Sequence, residues 1–180
     1  MNKTDIPNLP MWSGAATDKD NKSGVKTLLM LKEAEAKNKY PNVPTYALNT
    51  SKVIVSTANG LTKAIIDYIR LSGGQAERIS CEGRVIDARK TYTDCIGRIK
   101  TIGTIKRVKS TSTIGTADIS ATIKGRSVKI EVKIGNDKQS EAQKQYQKNV
   151  ENAGGVYFIA KDFQTFFEWY ILNFVNNGIF

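Results

Sequence analysis

The stretch that most constrains the fold runs over residues 117–134, where apolar and polar residues alternate with period two on both sides of a glycine turn. Ile119, Ala121 and Ile123 alternate with Asp118, Ser120 and Thr122. After Lys124-Gly125-Arg126-Ser127, the residues Val128, Ile130, Val132 and Ile134 alternate with Lys129, Glu131 and Lys133. This pattern predicts a β-hairpin with one dry face and one polar face. With Gly125-Arg126 as the turn, Lys124 faces Ser127, Ser120 faces Glu131 and Asp118 faces Lys133. Asp118, Glu131 and Lys133 then share one face, and every aliphatic residue falls on the other. A one-residue slip would bury the charges, so the parity is well specified.

Two carboxylates facing the same way from adjacent strands repel unless a cation lies between them. Such a pair is a hard-oxygen site suited to magnesium or manganese. A lysine two residues beyond Glu131 projects beside it, where it can hold an attacking water or stabilise a phosphorane-like transition state. The set fits phosphodiester hydrolysis. The plainer alternative is a solvated hairpin surface with a cross-strand Asp118–Lys133 ion pair.

Composition narrows the choice. The 180 residues carry 27 Lys and Arg against 17 Asp and Glu, a net charge of +10, which favours a polyanionic partner. Histidine is absent, so Ser-His-Asp and Cys-His catalysis and the usual His-containing zinc sites are excluded. Chemistry here must run on carboxylates, lysine, tyrosine or an oxygen-bound metal. Cys81 and Cys95 read as unpaired thiols in a reducing compartment. No apolar run is long enough to span a membrane, and the polar N-terminus with Asp5 does not have the form of a signal peptide. A cytoplasmic protein is expected.

Residues 1–22 read as an irregular arm and residues 25–39 as a helix, stopped by Tyr40-Pro41 and Val43-Pro44. Residues 1–50 are expected to stand apart from a main domain over 51–180. A second helix is predicted over 61–71, closed by Gly73-Gly74, followed by strand-like pieces at 76–80 and 84–87. Residues 88–113 carry Arg89, Lys90, Arg98, Lys100, Lys106, Arg107 and Lys109 against one acid, Asp94. Short β pieces fit within 102–108, and the cluster reads as a nucleic-acid-binding surface rather than a merely solvated face. Beyond the hairpin, a helix over 141–152, Gly154-Gly155 and an apolar strand over 156–160 predict a crossover that pairs two strands in parallel. Ser140 and Gln143 fit a capping box, and Gln143 is also placed to reach the site. In the aromatic tail, Phe163, Phe167, Tyr170 and Phe174 form a helical stripe that suits core packing, with a dimer interface as the alternative.

Gly115-Thr116-Ala117-Asp118, Ile130-Glu131-Val132-Lys133, Gln143 and Gly154-Gly155-Val156-Tyr157 together resemble, in order and spacing, the PD-(D/E)xK nuclease superfamily. The resemblance is to its VRR-Nuc branch, the virus-type replication–repair nucleases, and covers roughly residues 57–172. It implies a restriction-endonuclease-like α/β fold, a mixed central sheet flanked by helices, here with an N-terminal helical extension. It also implies a Mg2+-dependent deoxyribonuclease, with Mn2+ as substitute, in which Asp118, Glu131 and the Val132 carbonyl hold metal. Lys133 would position or activate the water, and Gln143 would support the site. The partners implied are branched DNA of the Holliday-junction type and a second copy of the chain, in the host cytoplasm if the chain is viral. Two departures stand out: Ala117 replaces the superfamily's proline, and Thr57-Ala58-Asn59-Gly60 lacks the first-helix glutamate that often adds a metal ligand. The alternatives are an inert basic DNA-binding module and a ribonuclease of the same architecture.

Overall fold

The computed structural model describes residues 23–48, 52–80, 83–108, 110 and 113–176. Helix α1 covers Ser23–Lys39 and α2 covers Ala58–Leu71. Strands β1 (Gln75–Arg78), β2 (Arg84–Asp87), β3 (Lys90–Thr93), β4 (Ile99–Ile102) and β5 (Ile105–Val108) follow. Strands β6 (Ile119–Ile123) and β7 (Arg126–Val132) form the hairpin, before α3 (Glu141–Asn152), β8 (Val156–Ala160), α4 (Phe163–Tyr170) and a π-helical turn at Ile171–Asn176. The expected irregular arm over 1–22 lies outside the described residues.

The central sheet has the order β1-β6-β7-β8. Its first two pairings are antiparallel, and β7 pairs with β8 in parallel, as the crossover through α3 requires. The result is a mixed sheet with helices on both faces. Ile119, Ile123, Val128 and Ile130 are at most 1% exposed and pack on α2 and α4, forming the core. Thr57 caps α2 by accepting the Gly60 N–H, and its apolar stripe of Leu61, Ala64, Ile65, Tyr68 and Ile69 is buried. The Tyr68 ring meets Phe163, Phe166, Phe167 and Tyr170 edge-on with centroids 5.1–6.0 Å apart. Trp169 stacks on Phe158 of β8 at 4.3 Å. Phe163, Tyr170 and Phe174 of the expected stripe are buried; Phe166 is also buried, whereas Phe167 is only partly so.

Two expectations are corrected here. Helix α1 does not stand apart from the main domain: Leu28 is fully buried in the common core, Lys32 pairs with Asp67 of α2 at 2.6 Å, and Gln164 of α4 accepts the Gly24 N–H at 2.9 Å. The hairpin register also differs. Lys124 and Gly125 form the two-residue turn, both with left-handed backbone (φ 47 and φ 78), so Ile123 faces Arg126. This is the mirror-image turn whose twist matches that of the strands. The shift from the expected register is two residues, so the faces keep their parity. It also brings Asp118 into line with Glu131 instead of Lys133, because Ile119 lies opposite Ile130.

Candidate active site

The end of the polar face that carries the acids is not a solvated surface, and the first turn of α3 reaches it through Gln143. Glu131 is 1% exposed and Lys133 is 9% exposed. The Asp118 carboxylate accepts the Val132 N–H at 2.9 Å, and its own carbonyl accepts the Ile79 N–H at 2.8 Å. These bonds fix Asp118 at the end of β6, beside Glu131. The alternative Asp118–Lys133 pair does not form. Lys133 instead places its ammonium 3.1 Å from Glu131 Oε1 and 3.3 Å from Asp137.

Gln143 does both things the sequence allows. Its Oε1 accepts the Ser140 N–H at 2.9 Å while Ser140 Oγ accepts the Gln143 N–H, completing the capping box. Its Nε2 donates to Glu131 Oε1. The first turn of α3 is thus bound to the carboxylate it covers. Gly115 makes this approach possible: a Cβ there would lie 2.4 Å from the Ala142 carbonyl, and its φ of +83 suits glycine alone.

The electrostatics of the pair are set by burial and by like charge. Glu131 Oε1 is shared by Lys133 and Gln143, but Oε2 is buried without a hydrogen-bond partner. Burial, and then the charge of Asp118, push the Glu131 carboxyl above its ordinary value despite the opposing pull of Lys133. Burial alone would lower the Lys133 ammonium, but the Glu131 and Asp137 carboxylates outweigh it and hold it above its usual range. Lys133 is therefore a fixed positive charge near neutral pH, not a free amine.

Three residues of this face have no role in the sequence reading. Tyr157 pairs with Lys129 across the parallel β7–β8 step, which puts it on the Glu131 face, and its ring contacts Tyr146 of α3. Its hydroxyl is buried, and burial followed by the Glu131 charge raises it far above its ordinary value, so it stays protonated. Lys129 is held against Ser120 Oγ at 2.6 Å and adds a cation two residues before Glu131. Asp137 is the third, through its pair with Lys133. The parity of β7, extended across the crossover, was the signal for Tyr157 and Lys129. For Asp137, in a loop, no periodicity applies.

Asp118 and Glu131 are the two acids brought into line across the hairpin. No group of three or more Asp, Glu, Cys or His side chains is placed for a metal among the described residues. At the position of the missing first-helix glutamate, Asn59 accepts from Arg78 at 2.9 Å. Asp67 is tied to Lys32, and Glu77 lies exposed opposite Ser120. Two carboxylates are nonetheless enough for magnesium, which keeps several waters and takes one or two carboxylates plus substrate phosphate. The orphaned Glu131 oxygen, pressed by Asp118, supplies the hard and electron-rich ligand such an ion requires.

The predicted nucleic-acid-binding residues lie elsewhere: Lys90, Lys100, Lys106 and Arg107 are on strands β3, β4 and β5, whose residues are all exposed, and Arg89 and Arg98 are in the connections between strands. Arg89 is engaged by Asp87, while Arg98 and Lys100 are engaged by Asp94. Lys90, Lys106 and Arg107 have no acidic partner within 4.0 Å among the described residues, and Lys109 lies outside those residues. No described helix is long and apolar enough to cross a membrane. Cys95 is an exposed free thiol. Compared with family models and with curated proteins, the chain matches none.

Proposed function

We propose that the chain is a divalent-metal-dependent endonuclease that hydrolyses phosphodiester bonds in DNA, with the restriction-endonuclease-like core that the sequence resemblance implies. The observation that carries this reading is the frustrated acid pair. A 1% exposed glutamate with an unpartnered oxygen, beside a second carboxylate, is costly in the protein alone and favourable around a hard cation.

Asp118 and Glu131 would hold Mg2+ or Mn2+, joined by the Val132 carbonyl, which leaves the strand on the same side as the amide bound to Asp118. The bound ion supplies Lewis-acid stabilisation of phosphoryl charge and lowers the pKa of a water at neutral pH. Lys133, protonated and nearly buried, orients the attacking water by hydrogen bonding and offsets the charge that develops on the phosphate. Gln143 positions Glu131 and takes no part in proton transfer. Lys129 and the protonated Tyr157 hydroxyl offer further contacts to phosphate oxygens on the same face.

The test is cleavage of labelled Holliday-junction, flap, single-stranded and duplex DNA with magnesium or EDTA. Metal-dependent cutting that Asp118→Ala and Glu131→Ala abolish, with DNA binding retained, is the expected result. Symmetrical cutting of the junction would identify a homodimer acting on branched DNA. Cleavage that survives either substitution would refute the assignment. DNA bound but never cut, together with no manganese binding, would make the chain a basic binding module.

A further inference from the structure

The described residues also contain an element that the acid pair does not explain. Between β1 and β6 the chain leaves the sheet and returns as a two-stranded antiparallel arm. Strand β2 pairs with β5 and β3 with β4, with Arg84 opposite Val108 and Thr93 opposite Ile99. The tip turns at Asp94, whose carboxylate accepts the Ile96 and Arg98 N–H groups at 3.1 and 2.9 Å, and at Gly97 with φ of +78. No residue of these four strands is buried, so the arm has no core of its own. Residues 84–108 carry seven Lys and Arg against two acids, Asp87 and Asp94, a net +5 of the chain's +10.

The two paired segments present similar chemistry. In the outer segment Lys90, Tyr92, Lys100 and Ile102 project from one face; in the inner segment Arg84, Ile86, Lys106 and Val108 do so. Arg84, Lys90, Lys106 and Arg107 have no acidic partner within 4.0 Å among the described residues. The arm is rooted beside the acid pair. Ile79, just after β1, donates to the Asp118 carbonyl, and Ser110 donates to the Ser80 carbonyl where the arm returns.

We propose that this arm lies in the major groove of duplex DNA. Three considerations favour that occupant. A two-stranded ribbon fits the B-form major groove but not the deep, narrow one of duplex RNA. From residue 84 to the tip the arm spans roughly 35 Å at about 3.3 Å per residue, about one turn of B-DNA. Finally, a second copy of the chain, itself at +10, would bring like charge against like, whereas unpaired cations on exposed strands complement phosphates flanking a groove. The exposed Ile86, Ile102 and Val108, on the same face as Arg84, Lys90 and Lys106, then meet thymine methyls and sugar edges. The consequence for cleavage, that duplex held by the arm runs past Asp118 and Glu131, rests on the nuclease reading. The binding itself does not.

The test is equilibrium binding of the full chain in EDTA, where no cleavage occurs, to duplex DNA of about 20 base pairs, its single strand and the matching duplex RNA. The comparison is with a variant carrying Arg84→Ala, Lys90→Ala, Lys106→Ala and Arg107→Ala, all at exposed positions, with retained folding checked by thermal melting. Expected is a preference of about tenfold or more for duplex DNA, and a fall of about 3.6 in the slope of log K against log salt in the variant, 0.9 per lost phosphate contact. Methylation of guanine N7 should block wild-type binding, as groove occupancy requires. An unchanged slope, equal affinity for single strands, or indifference to N7 methylation would overturn the proposal. So would a DNA-free dimer that Ile99→Lys dissolves, which would place a second copy on the arm. Arm-dependent binding without cleavage by any metal would support the arm while removing the nuclease reading. Cleavage and binding that both ignore the arm would do the reverse.

Discussion

Glu131→Gln in metal-free protein separates a metal site from a structural ion pair. Glu131 is 1% exposed and its Oε2 has no partner. A buried polar atom left unpaired costs about 1–3 kcal/mol, and more when charged. Asp118 adds repulsion, while Lys133 at 3.1 Å returns part of the loss. Glutamine keeps an oxygen for Lys133 and Gln143 but sheds the charge. The variant should therefore gain about 1 kcal/mol at neutral pH, or roughly 2–4 °C in Tm for a chain of this length. The pH dependence has a definite sign. Because the folded pKa of Glu131 lies above the unfolded one, its contribution is fully present below the unfolded value of about 4.3 and is lost as pH rises through the folded value. The gap between variant and wild type should thus be absent in acid and open toward neutrality. Manganese should reverse the order, stabilising wild type by about 2.7 kcal/mol at a hundredfold excess over Kd and leaving the variant unmoved. Thermal melts in EDTA and in manganese across this pH range read all three effects. A loss of about 3–5 kcal/mol in EDTA at neutral pH, the cost of breaking a buried structural ion pair, would refute the reasoning.

Lys133→Met should lower kcat by about 10²–10³ with manganese affinity unchanged, measured by single-turnover cleavage and titration. Gln143→Ala should weaken manganese binding about 10–100-fold and also cost about 1 kcal/mol of helix capping; Ser140→Ala should show the stability loss in melts but keep the metal affinity. Leu28→Ala should cost about 2–5 kcal/mol by denaturant unfolding in a single transition, since α1 shares the core; a separate early transition would restore α1 as an appendage. Gly115→Ala should destabilise by at least about 1–2 kcal/mol from its backbone conformation alone, and slow cleavage by moving the loop off α3.

How much of this was legible in the sequence depends on whether a property is set by neighbours in the chain or by distant packing. The faces of β6 and β7 follow from alternation, α3 from its capping box and Gly154-Gly155, and the parallel strand from the length of the crossover. The place of α1 was not legible, because Leu28 meets partners in α2 and α4 that no local pattern announces. The burial of Glu131 was equally hidden. Period two assigns it to the polar face, and its burial there, with Gln143 of α3 bound to its carboxylate, follows from packing across the crossover. The basic segment was recognised by composition, but its form as a paired ribbon depends on cross-strand register between residues up to 24 positions apart.

The register of the hairpin bears directly on the proposed metal reading. Turning at Gly125-Arg126 would have set Asp118 against Lys133, a pair neutral without any cation. Both turns satisfy the parity of the dry face, so alternation alone cannot choose between them. The chain turns at Lys124-Gly125, which holds a lysine in the left-handed region at a cost of about 1–2 kcal/mol and aligns acid with acid. The matching twist of that turn offsets the first penalty, but the alignment of acid with acid gains nothing within the hairpin itself. Local conflicts of this kind are expected where a site is held ready for a ligand. Here the conflict is carboxylate against carboxylate, with one oxygen unpaired, and the small hard cation of the proposed reading would relieve it.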